Sequence, residues 1–257
     1  MRAELDFAVP VLFGFLLTLA RVGGALVFVP LPGFSSAPRL TRLVLATALA
    51  VTLAPAWPRI DALPGAGQMA LWMAVEAAFG IAAGVAISFL NEGFLLACQI
   101  LGLQAGYSYA TTIDPSSQAD SGVMQVFGQL GASLLFFVFG LDRQILRAFA
   151  LSLAEHPPGA FQISAGSAEA VIGLGAGMFT LGLRLALPVV ALLLLVDLSL
   201  ALLSRVNAQL QLLTIAFPAK MLVTLALVAA LASMLPALYE QSAGRTVATL
   251  FGIVKGS

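Results

Sequence analysis

From Gly173 to Leu203 the chain reads "GLGAGMFTLGLRLALPVVALLLLVDLSLALL". No other feature narrows its folding options so far. A bilayer core about 30 Å thick is crossed by about 20 apolar residues in a helix. This apolar run, counted from Ala168, is longer than one straight span needs, and it carries Pro188 and two charges, Arg184 and Asp197. Strict apolar/polar alternation, the mark of a half-buried strand, is absent here and in every other apolar segment, so the expected class is all-α. Soluble domains carry about 25% charged residues. This chain has 257 residues, of which 9% are charged and 60% hydrophobic. Such a surface cannot face water throughout, and the expected fold is an all-α membrane protein.

Further apolar segments are Phe7–Val29, Leu43–Trp57, Met69–Leu90, Gly93–Ala105, Val123–Leu141 and Met221–Leu238. Leu43–Trp57 and Gly93–Ala105 are too short to span a bilayer alone. Arg21, Glu76, Arg184, Asp197 and Lys220 lie in or beside these segments and are expected as buried charges. A charge at the centre of a lipid-facing helix costs at least about 2.5–3.5 kcal/mol. Five of them imply that many helices pack on protein instead of lipid. Arg184 and Asp197 stand about 20 Å apart along a straight helix, so each needs a partner on another segment or another chain. The opening "MRAELDFAVPVLFGFLL" lacks the basic start and small-residue cut site of a cleaved signal, and is expected to be retained.

Net charge is zero, which gives no basic face for nucleic acid. A single cysteine, Cys98, and a single histidine, His156, exclude a disulfide framework and a Cys/His metal cluster. No nucleophile–base constellation is visible, so no enzyme activity, cofactor or metal is expected. "EAAFGIAAG" sets Glu76, Gly80 and Gly84 four residues apart, on one narrow stripe of a helix. Two glycines there let a second helix approach closely, which would bring a donor to Glu76. "GLQAG" repeats the small-residue spacing at Gly102 and Gly106. "AEHPPGAFQISAGS", Ala154–Ser167, is the clearest divider, with two successive prolines.

Between two of the most apolar runs lies "GYSYATTIDPSSQADSG", Gly106–Gly122. Asp114 before Pro115, the serines and Gly122 favour turns. Non-helical backbone at membrane depth survives only where protein buries it or a water-filled cavity reaches it. Two readings stay open from these residues: a surface hairpin loop, or a re-entrant loop projecting into a pore.

The order "EAAFGIAAG … EGFLLACQILGLQAGYSYATTIDPSSQADSGVMQVFGQLGASLLFFVFG", the opening with Arg21 and Pro30–Pro38, and the closing "LRLALPVVALLLLVDLSLALLSRVNAQLQLLTIAFPAKM" resemble the FliR-like family of type III secretion export-apparatus proteins. The resemblance covers essentially the whole chain and extends to virulence-secretion counterparts. It implies a subunit of the flagellar export gate in the bacterial inner membrane, at the basal body. Residues 1–155 would form a P-like part of helical hairpins and residues 156–257 a Q-like part with two long helices, packed in a helical assembly. Its implied partners are FliP-like and FliQ-like subunits, a FlhB-type (FliB-like) switch, an FlhA-type subunit, unfolded exported proteins and membrane lipid. By the same resemblance the segment after "GLQAG" is a pore plug, with Gly106, Tyr107, Tyr109, Thr111, Ile113, Asp114 and Pro115 as its residues. Glu76, Gly80, Gly84 and Gly102 would pack against a neighbouring helix or subunit. A small-solute transporter is the rival reading; it predicts an inverted repeat, and none is visible.

Overall fold

The computed structural model describes residues 2–29, 38–58, 65–107, 122–155, 165–206 and 212–255. Among them no strand occurs. The helices are α1 (Arg2–Leu26), α2 (Arg39–Thr52), α3 (Ala66–Ala105), α4 (Val123–Val138), α5 (Leu141–Glu155), α6 (Ala165–Val206), α7 (Leu212–Leu231) and α8 (Leu235–Lys255). The all-α expectation holds across the described chain. Two helices, α3 and α6, are long and apolar enough to cross a membrane; the bent pairs α4–α5 and α7–α8 raise that to as many as four.

Local chemistry accounts for where the helices stop. Pro38 precedes α2 in an extended conformation, and the Leu53 amide closes its far end on Leu49. A 3-10 turn, Ala54–Ala56, follows, and the Trp57 indole then donates to the Ala50 carbonyl at 2.7 Å. Between α4 and α5 the chain turns at Gly140, whose φ of 63° is a left-handed conformation that suits glycine.

Two expected boundaries are corrected. Met69–Leu90 and Gly93–Ala105 are one helix, because Asn91 and Glu92 do not break α3. Asn91 is buried, and its side-chain oxygen accepts the Tyr239 hydroxyl at 2.9 Å, so a polar residue in the helix interior is satisfied without a turn. The span expected at Met221–Leu238 ends instead at Leu231, and a new helix starts at Leu235. Pro188 lies inside α6 without ending it.

By contact the chain forms two compact units. One comprises Met1–Phe89, Phe136–Gly175 and Ala243–Ser257; the other comprises Leu90–Leu135 and Ala176–Ser242. Thus α3, α4, α6 and α8 each contribute residues to both units. In the first unit Leu17, Val22, Phe79, Phe136 and Phe149 are core residues. In the second, Phe94 packs on Tyr239 with ring centroids 5.1 Å apart, above a core that includes Leu101, Val189 and Leu193.

Candidate functional site

In the first unit α1 and α3 touch backbone to backbone. A Cβ placed on Gly80 would lie 1.9 Å from the Arg21 carbonyl oxygen, and one on Gly84 would lie 2.4 Å from that of Ala25. The contact is reciprocal, since a Cβ on Gly24 would lie 2.5 Å from the Ala77 oxygen. Two glycines one turn apart on α3 and one facing them on α1 therefore set the depth of the crossing, which only small residues permit.

One turn before Gly80, Glu76 accepts from Arg21 Nε, and both residues are 1% exposed. Arg21 Nη1 donates to Ser152 Oγ on α5 at 2.8 Å, and Ser152 in turn donates to the Phe149 carbonyl at 2.8 Å. The guanidinium carbon stands 4.8 Å from the Phe79 ring centroid, a cation–π contact that desolvation strengthens. Glu76 Oε1 has no hydrogen-bond partner among the described residues. The network thus ties α1, α3 and α5 together through one cation. Its two charges are opposite and in direct contact. Its physical use is to fix helix register, because any slip strands a buried charge.

In the second unit, polar contacts gather around the end of α3. Asp197 on α6 receives Lys220 of α7 at 2.8 Å and 3.0 Å on its two oxygens, and Gln104 Nε2 of α3 at 3.3 Å. Two residues beyond α3's last turn, the Tyr107 hydroxyl donates to the Met221 carbonyl at 3.0 Å. Gly106 has φ +84°, and a Cβ there would lie 2.6 Å from the Phe217 ring. Phe217, Lys220 and Met221 lie on one face of α7, so α7 pins the first two residues of the polar segment where they leave α3. At the other end, the Gly122 carbonyl accepts the amides of Gln125 and Val126 at the start of α4.

The Asp197–Lys220 pair is only partly buried, with side-chain exposures of 40% and 13%. Replacing Lys220 with Met is expected to lower the stability of the detergent-purified chain by about 1–2 kcal/mol, between the values for exposed and buried pairs. Lys220→Arg should lose less than half of that in a denaturant titration. Equal losses for both would show that the charge is irrelevant there.

Other expected site residues are placed as follows. A Cβ on Gly102 would meet only Met124 Cβ at 3.5 Å, an ordinary contact, so space does not demand glycine there. Arg184, expected among the buried charges, is exposed in this chain, because its side of α6 faces none of the described helices. Tyr109, Thr111, Ile113, Asp114 and Pro115 lie outside the described residues, as does His156. Ser152, Gln104 and Gly24 were missed by sequence reasoning. Gly24 had a signal, one turn after Arg21 in "RVGGAL"; Ser152 and Gln104 had none. Close approaches at Gly93 with Gly182, and at Gly128 with Cys98, were likewise not foreseen. Among the described residues no group of three or more His, Cys, Asp or Glu could hold a metal ion.

Residues 12–246 match the family described as bacterial export proteins, family 1. The chain is 33% identical over 214 residues to the flagellar biosynthetic protein FliR of Escherichia coli (strain K12), covering 83% of this chain and 82% of that one. It is 27% identical to the FliR of Pectobacterium carotovorum subsp. carotovorum over 77% of this chain and 76% of that one. It is 26% identical to the FliR of Caulobacter vibrioides over 83% of this chain and 86% of that one.

Proposed function

Because this chain belongs to the bacterial export proteins, family 1, we propose that it is a subunit of the flagellar type III protein export apparatus. The match over residues 12–246, with relatives named as flagellar biosynthetic proteins, carries that reading. It acts as a channel component in the bacterial inner membrane, not as a catalyst. Its partners are FliP-like and FliQ-like subunits, with FlhB-type and FlhA-type proteins at the same basal body. Unfolded flagellar proteins are its cargo.

Within this reading the segment from Gly106 to Pro115 closes the conduit. Support comes from its residue types and from its anchor. A movable stopper needs one end fixed, and the Tyr107–Met221 bond with the Gly106–Phe217 contact supplies a fixed end on α7.

The test is secretion in a strain lacking the chain, complemented with the full chain or with one shortened between Tyr109 and Asp120. Loss of the chain should stop export of flagellar structural proteins, and unchanged export would overturn the function. The shortened chain should raise membrane leakage of ions and small solutes at least about tenfold while the complex still assembles. An assembled but fully tight membrane would remove the stopper from the proposal and leave the export role standing.

A further inference from the structure

The Asp197 carboxylate joins three helices. It lies on α6, receives the Lys220 ammonium of α7 on its two oxygens at 2.8 Å and 3.0 Å, and accepts Gln104 Nε2 of α3 on one of them at 3.3 Å. All three residues belong to the second unit. Lys220 needs such a partner, because its side chain is only 13% exposed and a buried ammonium is costly when unpaired. Gln104 has no such need. It is a neutral, half-buried amide with no charge to neutralise, yet it reaches a carboxylate already engaged by a cation.

Position gives that third contact a use. Gln104 stands three residues before Tyr107, and Lys220 stands one residue before Met221. The Tyr107–Met221 bond is therefore flanked on both helices by groups that share Asp197. By itself that bond is a modest hold. A hydroxyl on a backbone carbonyl is a neutral pair, and hydrogen bonds to an ionised group are roughly twice as strong. The carbonyl is also held only as firmly as α7 is. Pro218, inside α7, has no N–H and so removes one rung of the helical ladder close to Phe217 and Lys220. The Lys220–Asp197 pair ties this weakened turn to α6, and Gln104 ties the end of α3 to the same carboxylate. Asp197 is 40% exposed, so water can replace Gln104 there without stranding a buried charge. The Arg21–Glu76 contact differs in this respect, because opening it leaves a charge unpaired at 1% exposure.

We propose that Gln104, Asp197 and Lys220 form a clasp that positions the root of the stopper. While Gln104 holds Asp197, the segment after Tyr107 stays seated; when that bond opens, the segment is free to leave. The proposal rests on the stopper reading above and adds to it the residues that hold the closed state. They are positioning residues, acting through Tyr107 and Met221.

The test uses the full chain in a flagellated strain lacking its own copy, with leakage read as entry of a small membrane-impermeant dye. Gln104→Leu removes the amide and leaves the Asp197–Lys220 pair in place. It should leave the denaturant midpoint of the purified chain and the amount recovered in the membrane complex as in the parent. Leakage should nevertheless rise at least about threefold, the scale set by losing one solvent-accessible hydrogen bond. A merely structural role would move the midpoint and not the leakage. Gln104→Met, nearly the same length as glutamine, serves if the leucine variant does not assemble. A chain that carries Gln104→Leu and is also shortened between Tyr109 and Asp120 should leak no more than the shortened chain alone, because the clasp then has nothing left to hold. A tight membrane around an assembled Gln104→Leu or Gln104→Met chain overturns the clasp. So does leakage that adds to that of the shortened chain, or loss of assembly by both single variants. If the shortened chain is itself tight, the stopper reading falls and takes the clasp with it. If the shortened chain leaks while the Gln104 variants stay tight, the clasp falls alone.

Discussion

Substitution of Arg21 by methionine should destabilise the chain by about 3–5 kcal/mol, the usual result when a buried ion pair loses one member. The cause is Glu76. Its Oε1 already has no partner among the described residues, and the substitution would take from Oε2 the Arg21 Nε–H it accepts. The carboxylate would then be buried with no counter-charge at 1% exposure. Ser152 would also lose the donor to its oxygen. The companion change separates charge from packing. In Arg21→Met with Glu76→Leu, no charge remains to be buried, and apolar replacements of a buried pair are often neutral or better. The double variant should therefore recover most of the loss, giving a coupling of about 2–3 kcal/mol, the upper range for contacting residues. The measurement is an SDS or denaturant titration of the purified full chain, in parent, both single variants and the double. A double variant as unstable as the sum of its parts would show that the two side chains act independently.

How much of this was legible in the sequence depends on the range of each interaction. Class followed from composition and periodicity, because an absence of alternation and a deficit of charge are properties of every window. The stripe of Glu76, Gly80 and Gly84 was legible because spacing of four residues is local to one helix. What lay opposite the stripe was not, since Arg21 is 55 residues away and no periodicity encodes that distance. The same limit explains Asn91, which looked like a break between two segments. Its satisfaction comes from Tyr239, 148 residues distant, and without that partner a polar residue in an apolar run reads as a loop. Pro188 was a weaker stop than its residue type suggests, because α6 continues through a missing hydrogen bond in a helix otherwise rich in leucine. Arg184 was expected to be buried on the ground that mid-span charge is costly. In this chain it is exposed, and among the described residues no hydrogen bond or ion pair holds it.

The smallest change with a large expected effect is Gly80→Ala. One methyl group would be placed 1.9 Å from a backbone oxygen, the Arg21 carbonyl, and 3.0 Å from the Ala25 nitrogen. A side chain could rotate away, but a helix backbone cannot, so α1 and α3 must separate by about an ångström to admit it. Overpacking of this kind costs about 1–3 kcal/mol, and more where the obstacle is rigid. Here the separation also stretches the Arg21–Glu76 contact one turn away, so the expected loss is about 3–4 kcal/mol. The helix preference of alanine over glycine, about 1 kcal/mol, acts in the opposite direction and is too small to offset it. Gly23→Ala provides the control. It lies next to Gly24 in α1 but has nothing within 4 Å of an added Cβ, so it should be neutral or stabilise by up to about 1 kcal/mol. Gly24→Ala, facing the Ala77 oxygen at 2.5 Å, should fall between the two. The order Gly80, Gly24, Gly23 in thermal stability and in flagellar protein secretion follows from distance alone. If all three alanine variants behave alike, the α1–α3 crossing is looser than these contacts require, and the register assigned to the Arg21–Glu76 pair has no glycine seam to hold it.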